Sequence, residues 1–87
     1  MIQEDIAEIK SLIDEVANSS TKKDSQEPLN KLEFKAAHLK GEINGYAKTK
    51  LSQAINKAKE ASGQILNKET KLYDVENSWA TFIKALK

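Results

Sequence analysis

The chain has 87 residues with a formal net charge of +1, fourteen lysines, no arginine and no cysteine. This length suits one small domain, and the lack of cysteine excludes disulfides, thiol catalysis and cysteine-bound metals. Arginine usually makes the bidentate contacts to phosphate and guanine, so its absence disfavours a sequence-specific nucleic-acid-binding protein.

The apolar residues are few for a chain that must form a core of its own. They make up 39% of the residues, and ten of them are alanines, which bury little surface. So small a core gains stability from a partner subunit. We therefore expect a homo-oligomer, most simply a homodimer.

The first predicted element is a helix over residues 2–18. Its apolar residues recur at alternating steps of four and three, which places them in a seam on one edge of a helix that packs against other helices. They are Ile2, Ile6, Ile9, Ile13 and Val16. Glu4 and Asp5 favour a helix start here, because negative charge stabilises the N-terminal end of the helix dipole.

The same acidic start bears on location. A signal peptide has a basic beginning followed by an uninterrupted apolar stretch, and a membrane span needs about 20 apolar residues. The sequence has neither pattern. We therefore expect a cytoplasmic protein.

Residues 19–27 contain no large apolar side chain and predict a loop. Pro28 suits the first turn of the next helix, because its ring fixes a helical φ and its missing N–H is not needed there. Asp24 or Ser25 is a suitable N-cap for that helix.

A second seam runs along the middle segment, residues 28–66. Its members are Leu32, Ala36, Leu39, Ile43, Ala47, Leu51, Ala54, Ala58, Ala61 and Ile65. Residues 41–45 leave two alternatives. The Asn44-Gly45 pair favours a turn that breaks the helix, whereas the spacing of the seam favours a continuous helix in which each glycine costs about 1 kcal/mol.

A further line of apolar or small residues follows the opposite side of the middle segment. It contains Phe34, Ala37, Gly41, Gly45, Ser52, Ile55, Ser62 and Leu66. A helix with two such faces is typical of a central position in a bundle. We therefore expect the middle segment to be covered on both sides, either by the first and last helices or by a second copy of the chain.

The last predicted helix covers residues 70–86. Asn67 and Thr70 suit a left-handed C-cap and an N-cap and indicate a boundary at 67–70, while the spacing from Ile65 to Leu72 also allows an unbroken helix. The apolar residues at helical spacing here are Leu72, Val75, Trp79, Phe82 and Leu86. The aromatic cluster is either a core anchor or an interface hot spot, and the candidate interaction surface consists of Tyr73, Trp79, Phe82 and Ile83.

Charge is unevenly distributed along the chain. Residues 1–18 have a net charge of −4, whereas residues 31–71 have nine lysines and four acids. The simpler explanation is that the first helix lies against the middle segment with complementary charges along the seam. The alternative is an electrostatic docking surface for another partner.

Four lysines in a stretch without acids are the candidate anion-contacting residues: Lys48, Lys50, Lys57 and Lys59. Such a stretch can contact phosphates or anionic lipid. These lysines point in several directions around a helix, however, and no aromatic residue alternates with them as in single-strand binders. A solvated helix face is the better interpretation, so nucleic acid and membranes are not expected as partners.

The sequence contains no constellation that points to catalysis, a cofactor or a metal. His38 is the only histidine, and with Glu42 it supplies two of the four ligands that structural zinc requires. The segment from Gly41 to Gly45 lacks the preceding strand and the Lys-Ser/Thr of a phosphate-binding loop. Its predicted role is a turn or close helix packing.

These patterns predict one all-α domain over residues 1–87: an antiparallel helical bundle of three or four helices with coiled-coil-like heptad packing. The expected function is non-enzymatic. We expect a protein–protein interaction module or a small regulatory or adaptor protein that acts as a homodimer, with an unidentified protein partner and without cofactor or metal. The alternative is a lysine-rich helical protein that binds an anionic membrane surface or nucleic acid non-specifically.

Overall fold

The computed structural model describes residues 2–86 and contains four α-helices in that range. They are α1 (Ile2–Asn18), α2 (Lys22–Lys40), α3 (Gly45–Ala61) and α4 (Lys68–Ala85). The described residues outside these helices form short connections. The predicted all-α helical bundle is confirmed, with four helices. None of the four is both long and apolar enough to cross a membrane.

Helix α1 has the bounds that its seam predicts. Ile9, Ile13 and Val16 are fully buried, and Ile6 packs partly buried against them. The side chain of Ile2 lies outside the described part of the chain. The spacing of four and three therefore identifies the edge of α1 that faces the core.

The predicted loop over residues 19–27 is wrong, because α2 begins at Lys22 and the connection covers only residues 19–21. The N-cap is Thr21, whose hydroxyl accepts a hydrogen bond from the Asp24 N–H at 3.0 Å. Ser25 faces the core in this turn, and its hydroxyl donates to the Lys22 carbonyl at 2.7 Å. A small polar side chain with a local hydrogen bond thus occupies a buried position that a pattern of large apolar residues does not identify. Pro28 lies inside α2.

The break at residues 41–45 is present, so the alternative of a turn is correct. Helix α2 ends at Lys40, and Asn44 caps the start of α3 by accepting a hydrogen bond from the Ala47 N–H at 2.8 Å. The amide group of Asn44 also donates to the Ala85 carbonyl at 3.1 Å. One side chain therefore connects the start of α3 to the end of α4.

The middle segment ends earlier than predicted, because α3 stops at Ala61 and residues 62–67 connect it to α4. Gly63 has a φ of +75°, which only glycine adopts readily. Its N–H donates to the Ser19 carbonyl at 3.0 Å. Ile65, a predicted member of the seam, is 86% exposed in this connection and is not part of the core. Helix α4 begins at Lys68, after Asn67 in the left-handed conformation.

The core lies between α1 and its neighbours, since α1 packs against α2 and α3, and α3 packs against α4. Alanines at 47, 54, 58 and 61 form much of the buried face of α3. Their small side chains bring the helix backbones close together. Side chains bridge α2 and α3 along one edge, where Lys59 pairs with Glu33 at 3.0 Å and Lys40 donates to the Ser52 hydroxyl at 2.7 Å.

The second face predicted for the middle segment is covered on α3 and open on α2. Ile55 of α3 and Ser62, the residue that follows this helix, are buried, whereas Leu66 in the connection to α4 is 81% exposed. Phe34 and Ala37 of α2 are exposed, and Phe34 retains 76% of its accessible surface. The other helices of the chain therefore do not cover both sides of α2.

Candidate functional site

The residues of the interaction surface predicted on α4 do not share one surface. Phe82 is fully buried, and its place on that surface is wrong because it lies on the same edge of α4 as the buried Val75. Trp79 is partly buried and packs against the core, with its ring centroid 5.0 Å from that of Phe82. Ile83 is also partly buried against the core, whereas Tyr73 is 67% exposed.

The four candidate anion-contacting lysines lie on two opposite flanks of α3. Lys59 faces α2 and pairs with Glu33, as described above. Lys57 lies on the other flank, with its ammonium nitrogen 3.9 Å from a carboxylate oxygen of Glu60. Lys50, on the flank of Lys57, has its ammonium 5.2 Å from the centre of the Tyr46 ring. Lys48 is exposed on the flank of Lys59. The fold therefore does not gather these charges into one basic patch.

The charged residues of α1 contact α4 as well as the middle segment. Glu8 pairs with Lys35 of α2 at 2.7 Å, and this hydrogen bond, together with the charge of Glu8, raises the pKa of Lys35 above its ordinary value. Lys10 pairs with Asp14 at 3.0 Å and with Glu76 of α4 at 2.9 Å. Burial lowers the pKa of Lys10, but the hydrogen bonds to Glu76 and Asp14 outweigh that effect and raise it. The predicted charge complementarity is thus present between α1 and α2 at Lys35, and α4 takes part as well.

A groove of about 470 Å³ lies between the outer sides of α1 and α2, and we call it the α1–α2 groove. Its lining comprises Glu8, Ser11, Leu12 and Glu15 from α1 and Asn30, Lys31, Phe34 and Lys35 from α2. The apolar part is made by Leu12, which is partly buried, and the exposed Phe34. The acids lie on the α1 wall and the lysines on the α2 wall.

Sequence reasoning places Phe34 in the second line of the middle segment and does not assign it to an interaction surface. One feature of the sequence could have identified Phe34. Phe34 is the one large apolar residue of α2 that does not pack on the core, whereas Leu29, Leu32 and Leu39 do. A bulky aromatic residue outside the seam of an amphipathic helix is the feature that distinguishes this position in the sequence.

A cluster of lysines and backbone carbonyls lies where the ends of all four helices meet. The ammonium group of Lys68 donates to the Ala61 carbonyl at 2.6 Å and also to the Ala17 carbonyl, and Lys22 donates to the Lys59 carbonyl. Burial lowers the pKa of Lys68, and the nearby charge of Lys22 lowers it further. These ammonium groups satisfy carbonyls that the ends of α1 and α3 leave without helical partners. The two lysines therefore hold the ends of the helices together, which is a structural role.

The described residues, 2–86, contain no group of three His, Asp or Glu side chains placed to hold a metal ion. His38 and Glu42 are both exposed near the end of α2. No known protein family, curated protein or solved structure matches this chain. The exposed side chains and the groove are therefore the features of this chain that point to a function.

Proposed function

We propose that this chain is a non-enzymatic protein-interaction module that acts as a homodimer. The observation that carries the proposal is Phe34, an aromatic side chain that is 76% exposed on a regular helix. Contact with a second protein removes such a ring from water and stabilises the complex. The cytoplasmic location expected from the sequence remains part of this proposal.

The open side of α2 favours a second copy of the chain as the partner. Its line of apolar and small residues predicts cover either from other helices or from another copy. Within the chain, Phe34 and Ala37 receive no such cover. Packing of helix on helix, in the manner of a coiled coil, is the contact that such a line suits best.

Sedimentation equilibrium from low to high micromolar concentration tests the proposal directly. We expect a reversible dimer whose melting temperature rises with protein concentration, because a partner that binds only the folded state stabilises it by mass action. A pure monomer with a constant melting temperature at all concentrations would contradict homodimerisation.

A pair of variants identifies the aromatic residue responsible. Phe34→Ala is expected to weaken the dimer, while Tyr73→Ala is the matched control, since Tyr73 has a similar exposure of 67% on α4. The reverse result would move the interaction surface to α4. Equal loss in both variants would indicate a contact that involves both helices.

Binding to anionic membranes or nucleic acid through Lys48, Lys50, Lys57 and Lys59 is the alternative function. Their division between two flanks of α3 and the pairing of Lys57 and Lys59 with acids give it little support. Retention on heparin or anionic liposomes that disappears with salt would favour it. We expect no such retention.

A further inference from the structure

We propose that the α1–α2 groove is the contact surface of the homodimer and that its occupant is the same groove of a second copy. The two copies are related by a two-fold axis that runs parallel to α1 and α2. This inference rests on the proposed function and adds to it the surface and the orientation of the partner.

The charges that line the groove are divided by wall. Glu8 and Glu15 lie on the α1 wall, and Lys31 and Lys35 lie on the α2 wall. The groove is therefore negative along one side and positive along the other. A partner surface fits electrostatically when its own charges are divided in the opposite order.

A second copy can present this surface in two symmetric ways. With the two-fold axis parallel to the helices, α1 of each copy lies over α2 of the other. With the axis across the helices, α1 lies over α1 and α2 over α2. The first arrangement brings acids over lysines, and the second brings acids over acids. Charge complementarity therefore selects the parallel axis.

The parallel axis also determines which residues of the two copies lie opposite each other along the helices. Rotation about it does not move a residue along the helix direction, so residues at one level within a chain remain level across the interface. Glu8 and Lys35 are level, since their side chains pair at 2.7 Å within the chain. Each copy's Glu8 thus meets the other's Lys35, and Glu15 lies within about one helical turn of Lys31.

The apolar residues complete the contact. Phe34 and Leu12 belong to opposite walls of the groove, so the same rotation places Phe34 of each copy over the α1 wall that contains Leu12 of the other. An apolar centre flanked by charged residues is the usual anatomy of a protein–protein interface.

Charge reversal on one wall at a time tests both the surface and the axis. The variants E8K/E15K and K31E/K35E each place like charges over one another, and we expect the dissociation constant of the dimer to rise about tenfold or more in each. The four-residue variant E8K/E15K/K31E/K35E restores opposite charges between the walls, and we expect it to dimerise like the original chain. K48E/K84E is the matched control, because both lysines are exposed outside the groove.

The readouts are sedimentation equilibrium at low and high salt and helicity from circular dichroism. High salt is expected to reduce the difference between the single-wall variants and the original chain, because it screens exposed charges. Unchanged helicity shows that a variant is folded. The four-residue variant keeps opposite charges at positions 8 and 35 within each chain, but it places a second acid beside Glu27 at position 31, so its helicity is measured before its dimerisation is compared.

The possible failures are distinguishable. If the original chain is monomeric, the proposed homodimer is itself wrong. If it dimerises and single-wall reversal has no more effect than K48E/K84E, another surface or the crossed axis forms the dimer and only this inference is overturned. If both single-wall variants dissociate and the four-residue variant also dissociates despite native helicity, the pairing of α1 with α2 across the interface is wrong.

Discussion

The ammonium group of Lys68 lies 2.6 Å from the carbonyl oxygen of Ala61 and also donates to that of Ala17. A lysine in the first turn of a helix is normally unfavourable, because the N-terminal end of the helix dipole is positive. Here the side chain reaches the C-terminal carbonyls of α3 and α1 and donates hydrogen bonds to them, although burial and the charge of Lys22 lower its pKa. Lys68 therefore joins three helices at one end of the bundle.

Removal of this ammonium group is expected to destabilise the fold. Lys68→Met removes a hydrogen-bond donor from two carbonyls, of which that of Ala61 keeps the Gln64 N–H at 3.1 Å, and an intramolecular hydrogen bond contributes about 0.5 to 1.5 kcal/mol net. Chemical denaturation measures the free energy of unfolding. Lys23→Met is the control, since Lys23 is exposed in the first turn of α2 and its loss is expected to change stability by at most about 0.5 kcal/mol. Equal losses of stability in the two variants would mean that the hydrogen bonds of Lys68 do not stabilise the fold.

Alkaline pH should separate Lys68 from Lys35, because their pKa values shift in opposite directions. The folded state lowers the pKa of Lys68, so between that value and the ordinary 10.5 the unfolded chain binds more protons and this residue's contribution to stability rises with pH. The pKa of Lys35 is raised, so its contribution is fully present below 10.5 and is lost as pH rises through the folded-state value.

The measurement is the free energy of unfolding of Lys68→Met and of Lys35→Met, each relative to the original chain, at pH values below and above 10.5. We expect the advantage of the original chain over Lys68→Met to grow with pH. Its advantage over Lys35→Met should shrink above pH 10.5. The same direction of change for both lysines would contradict the assigned environments.

Phe82 is expected to be the most sensitive single core position. It is the largest fully buried side chain, so Phe82→Ala should cost about 3 to 5 kcal/mol. Tyr73→Ala on the same helix should change stability by at most about 0.5 kcal/mol. Fluorescence of Trp79, whose ring lies 5.0 Å from that of Phe82, gives a second readout. Its emission is expected to shift to the red and become easier to quench in Phe82→Ala.

Two glycines should respond to alanine in opposite directions. At Gly63 the positive φ of +75° disfavours a side chain, and an added Cβ lies 3.2 Å from the Lys22 nitrogen, so Gly63→Ala should cost about 1 to 2 kcal/mol or more. At Gly45, the first residue of α3, an added Cβ meets no atom within 4 Å. Gly45→Ala should stabilise the fold by about 0.4 to 1 kcal/mol, because it restricts the unfolded chain. Thermal melting of both variants checks the contrast.

The sequence predicts the buried edges of the helices well, since Ile9, Ile13 and Val16 follow the spacing that a packed helix requires. It predicts the helix ends less well, because those depend on contacts between distant residues. Ser25 is buried by tertiary packing although its side chain is small and polar, so residues 22–27 read as a loop. Gly63 contacts the first connection of the chain, which no local pattern contains.

The candidate site was predicted only in part for a related reason. Periodicity shows which residues share one face of a helix, but it does not say which faces the other helices cover. Phe34 and Phe82 both belong to apolar lines in the sequence, yet one is exposed and the other is fully buried. Only the arrangement of the four helices separates them.

The hydrogen bond from the Gly63 N–H to the Ser19 carbonyl has a consequence for the motions of the fold. Amide protons in surface connections usually exchange quickly with solvent, because local opening suffices. This amide connects the α1–α2 hairpin to the α3–α4 hairpin, so it is released only when the two hairpins separate at that end. Slow hydrogen exchange at Gly63 would therefore report on docking of the hairpins, and its rate relative to the core amides of α3 would show whether the four helices open as one unit or as two.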